Sequence, residues 1–416
     1  MALFNPSDIL LPKKGCDMTK WAVVACDQYT SEPKYWSDLK EFVGGAPSTL
    51  KITLPEIYLE ESGVEDRIKN INETMLSYLD SGIFESVKNS FIYVERTDSL
   101  GKIRKGVVGA ADLLEYDYNK GSKSKIRATE GTILDRLPPR VKVRENAALE
   151  LPHIMILIDD PDKTVIEPLE NKQKTPIYDF KLFGESGSIK GFALDDTAAA
   201  EIQKAIEKLS DSETFNEKYG TAETSPLVFA VGDGNHSLAT AKQIYDNLKN
   251  TLPEEEYLNH PARYALVEIV NIYDESLFFE GIHRVVFGVD RDDFLGGMIE
   301  TLGLSVTKSE QYFDFVSDGE VIRYYMSKKS STLAVGSLQN FIDKYLANNA
   351  GRVDYIHGED VVKKLSTGND LGFILPSVNK ADFFKTVILD GSLPRKTFSM
   401  GHAADKRFYL EARKIR

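Results

Sequence analysis

Basic residues are in deficit in this chain: 51 Lys and Arg stand against 64 Asp and Glu, a formal net charge of −13 over 416 residues. A nucleic-acid backbone or an anionic membrane rewards the opposite balance, so neither is an expected partner. The run from Lys120 to Arg127 is the local exception, and among its glycines and serines it reads as a solvated loop. Cysteine is scarcer still. Only Cys16 and Cys26 occur, nothing around them has metal-ligand spacing, and a reduced, cytoplasmic compartment is the simpler expectation. Cys26 precedes Asp27 and reads as a buried free thiol, with a reactive thiol as the alternative. No apolar run approaches the ~18 residues of a membrane span, and Met1 to Lys14 lacks the pattern of a signal peptide. Walker loops, helix-turn-helix signatures, repeats and low-complexity segments are missing too, which disfavours a DNA-partition or transcriptional role.

What remains is an ordinary globular composition, 42% apolar and 28% charged, long enough for two or more cores. The patterning predicts an α+β fold. Strands are expected at Trp21 to Cys26, Ser90 to Arg96, Lys105 to Leu114, His153 to Ile158, Arg263 to Ile272 and His283 to Phe287, the second and third joined as a hairpin at Asp98 to Gly101. Helices are expected at Pro33 to Val43, Glu65 to Leu79 and after the capping pair Asp195-Asp196. Glu167 to Gly191 reads as strands or loops of uncertain form. After Gly288 the pattern changes, which divides the chain into a main domain, 1–288, and a smaller α+β lobe, 289–416, whose basic and aromatic tail could fold back on the first.

The most chemical stretch is Leu227 to Gln243. Leu227 to Val231 reads as a buried strand, and Leu238, Ala241, Ile244, Tyr245 and Leu248 recur at helical spacing. Between them lies the turn Gly232-Asp233-Gly234-Asn235-His236. Its glycines allow backbone N–H groups to approach a ligand, and a helix start offers unpaired donors and partial positive charge, an anion site in outline. Asp233 is a candidate metal ligand or general base and His236 a proton-transfer group or phosphate ligand. The plain alternative is a glycine turn with Asn235 or Ser237 as N-cap and no ligand. Glu130 and Arg136, with Arg140 beyond two prolines, form a second candidate cluster; a surface ion pair is its plain reading. Arg284, after His283 at the start of a strand, is a candidate phosphate-binding guanidinium, with a core histidine beside it as the alternative.

Several of these stretches resemble the family named domain of unknown function 1015, which carries an Asp-Gly-His-His-Arg-like turn before a similar helix. Cys26-Asp27-Gln28-Tyr29, Arg127 to Thr132 with Asp135-Arg136, Tyr355-Ile356-His357-Gly358 and Leu393 to Thr397 resemble its other signatures in the expected order. The strand, turn and helix also look like the phosphate-binding turn of the ParB and sulfiredoxin superfamily, which includes free-serine kinases. That resemblance implies a mixed-sheet ParB/sulfiredoxin-like core and a nucleotide, ATP or ADP, with Mg2+. In the usual pattern an arginine follows the histidine and meets a phosphate. Here Ser237 stands there, and a hydroxyl supplies neither the charge nor the bidentate geometry. Arg127, Arg136, Arg140 or Arg284 is the expected replacement.

Two function classes follow. One is a nucleotide-dependent phosphotransferase acting on a small hydroxylated metabolite, with Asp233, His236 and Glu130 as catalytic candidates and Gly232, Gly234, Asn235, Ser237, Arg136 and Arg284 around the cofactor. The other is a sensor that binds a nucleotide or phosphometabolite without turnover, a reading that Ser237 favours. The partner in either case is a small molecule.

Overall fold

The computed structural model describes residues 2–24, 29, 32–59, 61–131, 137–151, 153–401 and 403–416. Cys26, Asp27, Gln28, Asp135 and Arg136 lie outside the described residues. The chain forms two compact units: Met1–Leu277 with His402–Arg416, and Phe278–Gly401. The division falls before Gly288 because His283–Phe287 pairs antiparallel with Arg352–Ile356 and Leu371–Ile374, both strands of the second unit.

Unit 1 is built on a mixed sheet that has ten strands among the described residues, so the fold is α+β. Its path runs through Lys174–Lys181, Ser188–Leu194, Ile92–Thr97, Ile103–Asp112, Tyr264–Asn271, Met155–Ile158, Phe229–Asp233, Ile126–Ala128 and Tyr116–Asp117, with Phe4–Asn5 beside Ile103–Asp112. The expected hairpin forms: Ile92–Thr97 and Ile103–Asp112 pair antiparallel, and the Asp98 carboxylate accepts the Leu100 and Lys102 N–H groups across the turn. The stretch of uncertain form resolves into the antiparallel pair Lys174–Lys181 and Ser188–Leu194.

Both faces of the central strands are buried, because successive side chains alternate between two cores. Val107, Val267, Ile269, Ile156, Phe229 and Val231 join Ile202 and Ile206 of the helix Asp196–Leu209 and Leu238, Ala241 and Tyr245 of the helix Asn235–Leu248. On the other face Val108, Leu266, Ile92 and Val94 meet Ile71, Met75 and Tyr78 of the helix Val64–Asp80, together with Trp21 and the tail residues Phe408, Leu410 and Ala412. The expected strand at Trp21 is instead the end of a short helix, Met18–Trp21, whose Asp17 side chain caps it. Trp21 Nε1 donates to the Leu410 carbonyl at 2.8 Å, so its apolar neighbours pack on the tail rather than in a sheet.

Unit 2 carries a six-stranded antiparallel sheet in the order Leu304–Ser305, Glu320–Met326, Gln311–Ser317, Leu371–Ile374, His283–Phe287, Arg352–Ile356, with Arg291–Leu302, Ala334–Leu346, Glu359–Leu365 and Lys380–Asp390 as helices. Among the described residues no helix is long and apolar enough to cross a membrane.

Candidate functional site

The turn lies where three strands of unit 1 end together. Ile126–Ala128 runs parallel to Phe229–Asp233, so Thr129-Glu130 and the Gly232 to His236 turn leave the sheet at one end. Met155–Ile158 runs antiparallel to Phe229–Asp233 with Asp233 opposite Met155, which brings His153 and Ile154 to that same end. Two of these three are strand carboxyl ends, beyond which ligands of open α/β sheets sit.

Each glycine has a different task. The register against Met155–Ile158 shifts between Val231 and Asp233, making Gly232 the bulged residue that turns the strand end. Gly234 adopts φ 83 and ψ 28, left-handed, and is the N-cap of the helix Asn235–Leu248 with no side-chain cap. A Cβ there would meet Ile154 at 3.0 to 3.4 Å. Asn235, one of the two caps of the plain alternative, is used otherwise: its Oδ1 accepts the Thr129 N–H at 3.1 Å, while the buried Thr129 hydroxyl donates to the Val231 carbonyl at 2.6 Å. These bonds tie the two parallel strand ends together and leave the helix start uncapped by any side chain.

Asp233 is half-buried beside this start. Its Oδ1 accepts the Gly234 N–H at 2.9 Å and its Oδ2 lies 3.1 Å from Lys406 Nζ. Desolvation works to raise the carboxyl pKa, but Lys406 and His153, with the hydrogen bonds from Lys406 and Gly234, hold it below the ordinary carboxylate value. Asp233 is therefore an anion at neutral pH. His153 Nε2 lies 3.5 Å from Ser237 Oγ, and its ring meets Tyr409 edge-on at 5.1 Å. His236 occupies the first helical turn, where its carbonyl accepts the Thr240 hydroxyl at 2.7 Å. Glu130 is half-buried directly after Thr129.

Among the expected replacement cations, three are committed elsewhere. Arg127 is buried and donates to Glu223 at 2.5 Å and to the Ser124 and Ser225 carbonyls. Arg140, on the helix Leu137–Arg144, pairs with Glu56. Arg284 lies in unit 2, fully buried, and donates to Gln339 Oε1 and to the carbonyls of Ile282, Lys396 and Arg395. Its role is to hold the Leu393 to Thr397 segment, and burial lowers its pKa to about 10. This corrects its expected place at a phosphate. His283 beside it accepts the Leu375 N–H, the core role named as the alternative. The basic run near residue 120 is also neutralised, through Lys123 to Glu223 and Lys125 to Glu115.

Sequence reasoning missed Lys406, His153 and Thr129 as neighbours of the turn. No local pattern marks Lys406, since its partner Asp233 is distant in the chain.

The family model described as protein of unknown function (DUF1015) matches residues 10–345. No curated protein matches the chain. Among solved structures the chain is similar to a free serine kinase in complex with AMP, at 11% identity and TM-score 0.36, covering 73% of this chain and 92% of that one. A variant free serine kinase in complex with ADP gives 11%, 0.38, 76% and 93%. A conserved hypothetical protein from Pyrococcus furiosus gives 12%, 0.33, 72% and 91%. Likeness this slight carries no functional argument.

Proposed function

The chain belongs to the DUF1015 family, whose description assigns no reaction, and we propose that its Gly232 to His236 turn is the phosphate-binding part of a nucleotide-dependent phosphotransferase acting on a small hydroxylated metabolite. The observation that supports it is the glycine-led helix start with no side-chain cap, flanked by the Asp233–Lys406 pair and by His153. Backbone N–H groups at such a start hold anionic oxygens, and phosphoryl transfer needs chiefly positioning and charge stabilisation. The acceptor hydroxyl attacks phosphorus, the bond to the leaving phosphate breaks, and the hydroxyl proton passes to a carboxylate. Asp233 is that base or the metal ligand, Glu130 the alternative base, and His236 a proton carrier or phosphate ligand. Among the described residues no group of three or more His, Cys, Asp or Glu side chains could hold a metal ion. Asp233 would hold Mg2+ together with nucleotide phosphates and water, the usual manner for this ion, and the ion would neutralise phosphate charge.

Ser237 favours the second reading, a nucleotide or phosphometabolite sensor without turnover. Purified protein is incubated with ATP, ADP, CTP or pyrophosphate, with and without magnesium, and with hydroxyl-bearing amino acids as acceptors, while product and thermal stability are followed. Asp233→Asn should lower turnover by about a hundredfold or more with cooperative unfolding retained. Turnover like the wild type would remove Asp233 from the mechanism. Ligand-dependent stabilisation without product would establish the sensor instead.

A further inference from the structure

We infer that Lys406 is the phosphate-recognising cation of this site, taking the role that Ser237 leaves empty, and that the C-terminal tail exists in its present course to deliver it. This rests on the phosphate-site reading above and specifies how the site recognises its anion.

The tail approaches Asp233 between two sets of fastenings. Before Lys406, the Ala404 carbonyl accepts from Arg96 Nη2 at 3.1 Å and the Asp405 carboxylate accepts the Ser99 N–H at 3.0 Å. After it, Arg407 is buried, with Nε 2.7 Å from Glu268 Oε2 and Nη2 2.7 Å from Glu411 Oε2; the Tyr409 N–H then donates to the Val23 carbonyl at 2.7 Å. Residue 406 is therefore held from both sides, and its side chain is only 14% exposed.

Burying an ammonium stem beside a carboxylate gives little net stability, because desolvation offsets the attraction. The pair gains a purpose when an anion arrives. Asp233 alone would repel a phosphate at the helix start. Lys406 neutralises it, and the long flexible stem lets the ammonium turn from Oδ2 toward a phosphate oxygen while the Gly234 N–H keeps the carboxylate in place. A lysine acts as a point charge, so it needs no fixed fork geometry, which suits a site without the usual guanidinium.

The test is calorimetric binding of pyrophosphate, ADP and adenosine to the full chain and to Lys406→Gln and Lys406→Arg, each checked for cooperative unfolding. Lys406→Gln should weaken pyrophosphate and ADP about tenfold or more, leave adenosine within about twofold, and regain most of the loss in Lys406→Arg. Equal binding of pyrophosphate and ADP by wild type and Lys406→Gln would overturn this inference while the turn remained a phosphate site. Equal losses for adenosine and the phosphates would also overturn it, by assigning Lys406 a structural role. Wild-type protein that binds none of the three would overturn the phosphate-site reading and this inference together.

Discussion

At the scale of single residues, Gly234 is where the site is most sensitive to a small change. Its left-handed backbone costs an L side chain about 1–2 kcal/mol, and the added Cβ would press on Ile154. Gly234→Ala should therefore destabilise unit 1 by about that amount and weaken ligand binding, measured by urea unfolding with and without ADP. Unchanged values would mean that the turn relaxes freely and is not preorganised. Asp233 and Gly234 were legible as local chemistry because strand, glycine and helix follow one another without interruption. That Asn235 ties two strand ends instead of capping the helix, as the plain alternative had it, was not legible because its partner, Thr129, is distant in the chain. Arg284 was misplaced for the same reason: the oxygens that fill its donors come from Gln339, Ile282, Lys396 and Arg395, which no short motif gathers.

At the scale of elements, periodicity identified helices and strands well, with the helices at Pro33–Val43, Val64–Asp80 and Asp196–Leu209 falling where the pattern put them. It failed where burial comes from non-local partners. The tail is such an element, since its course is set by buried ion pairs. Arg407 lies between Glu268 and Glu411, Arg104 approaches Glu268 at 3.3 Å, and the Tyr178 hydroxyl donates to Glu411 at 2.5 Å. Burial tends to raise the Glu268 pKa, but Arg104 and Arg407 bring it below its ordinary value. Arg407→Met would leave two buried carboxylates without this partner and should cost about 3–5 kcal/mol, read as a lower urea midpoint for unit 1. Adding Glu268→Gln should recover part of it. A loss below about 1 kcal/mol in the single variant would show that the tail is not fastened by this network.

At the scale of the whole molecule, an acidic chain with net charge −13 repels polyphosphates at long range, so any such ligand must be held by local donors and cations strong enough to overcome that field. Composition showed this constraint at once. It could not show that the local cation is Lys406, because Asp233 and Lys406 are brought together by the path of the whole of unit 1. The family match names no reaction, so the decisive observation must be physical. The most direct is a titration of deuterated, 15N-labelled protein with ADP and magnesium, followed by amide NMR. Saturable shifts concentrated at Thr129, Gly234 to Leu238 and Lys406 are the predicted result. Saturable shifts confined to other regions, or none at all, would contradict the phosphate-binding turn.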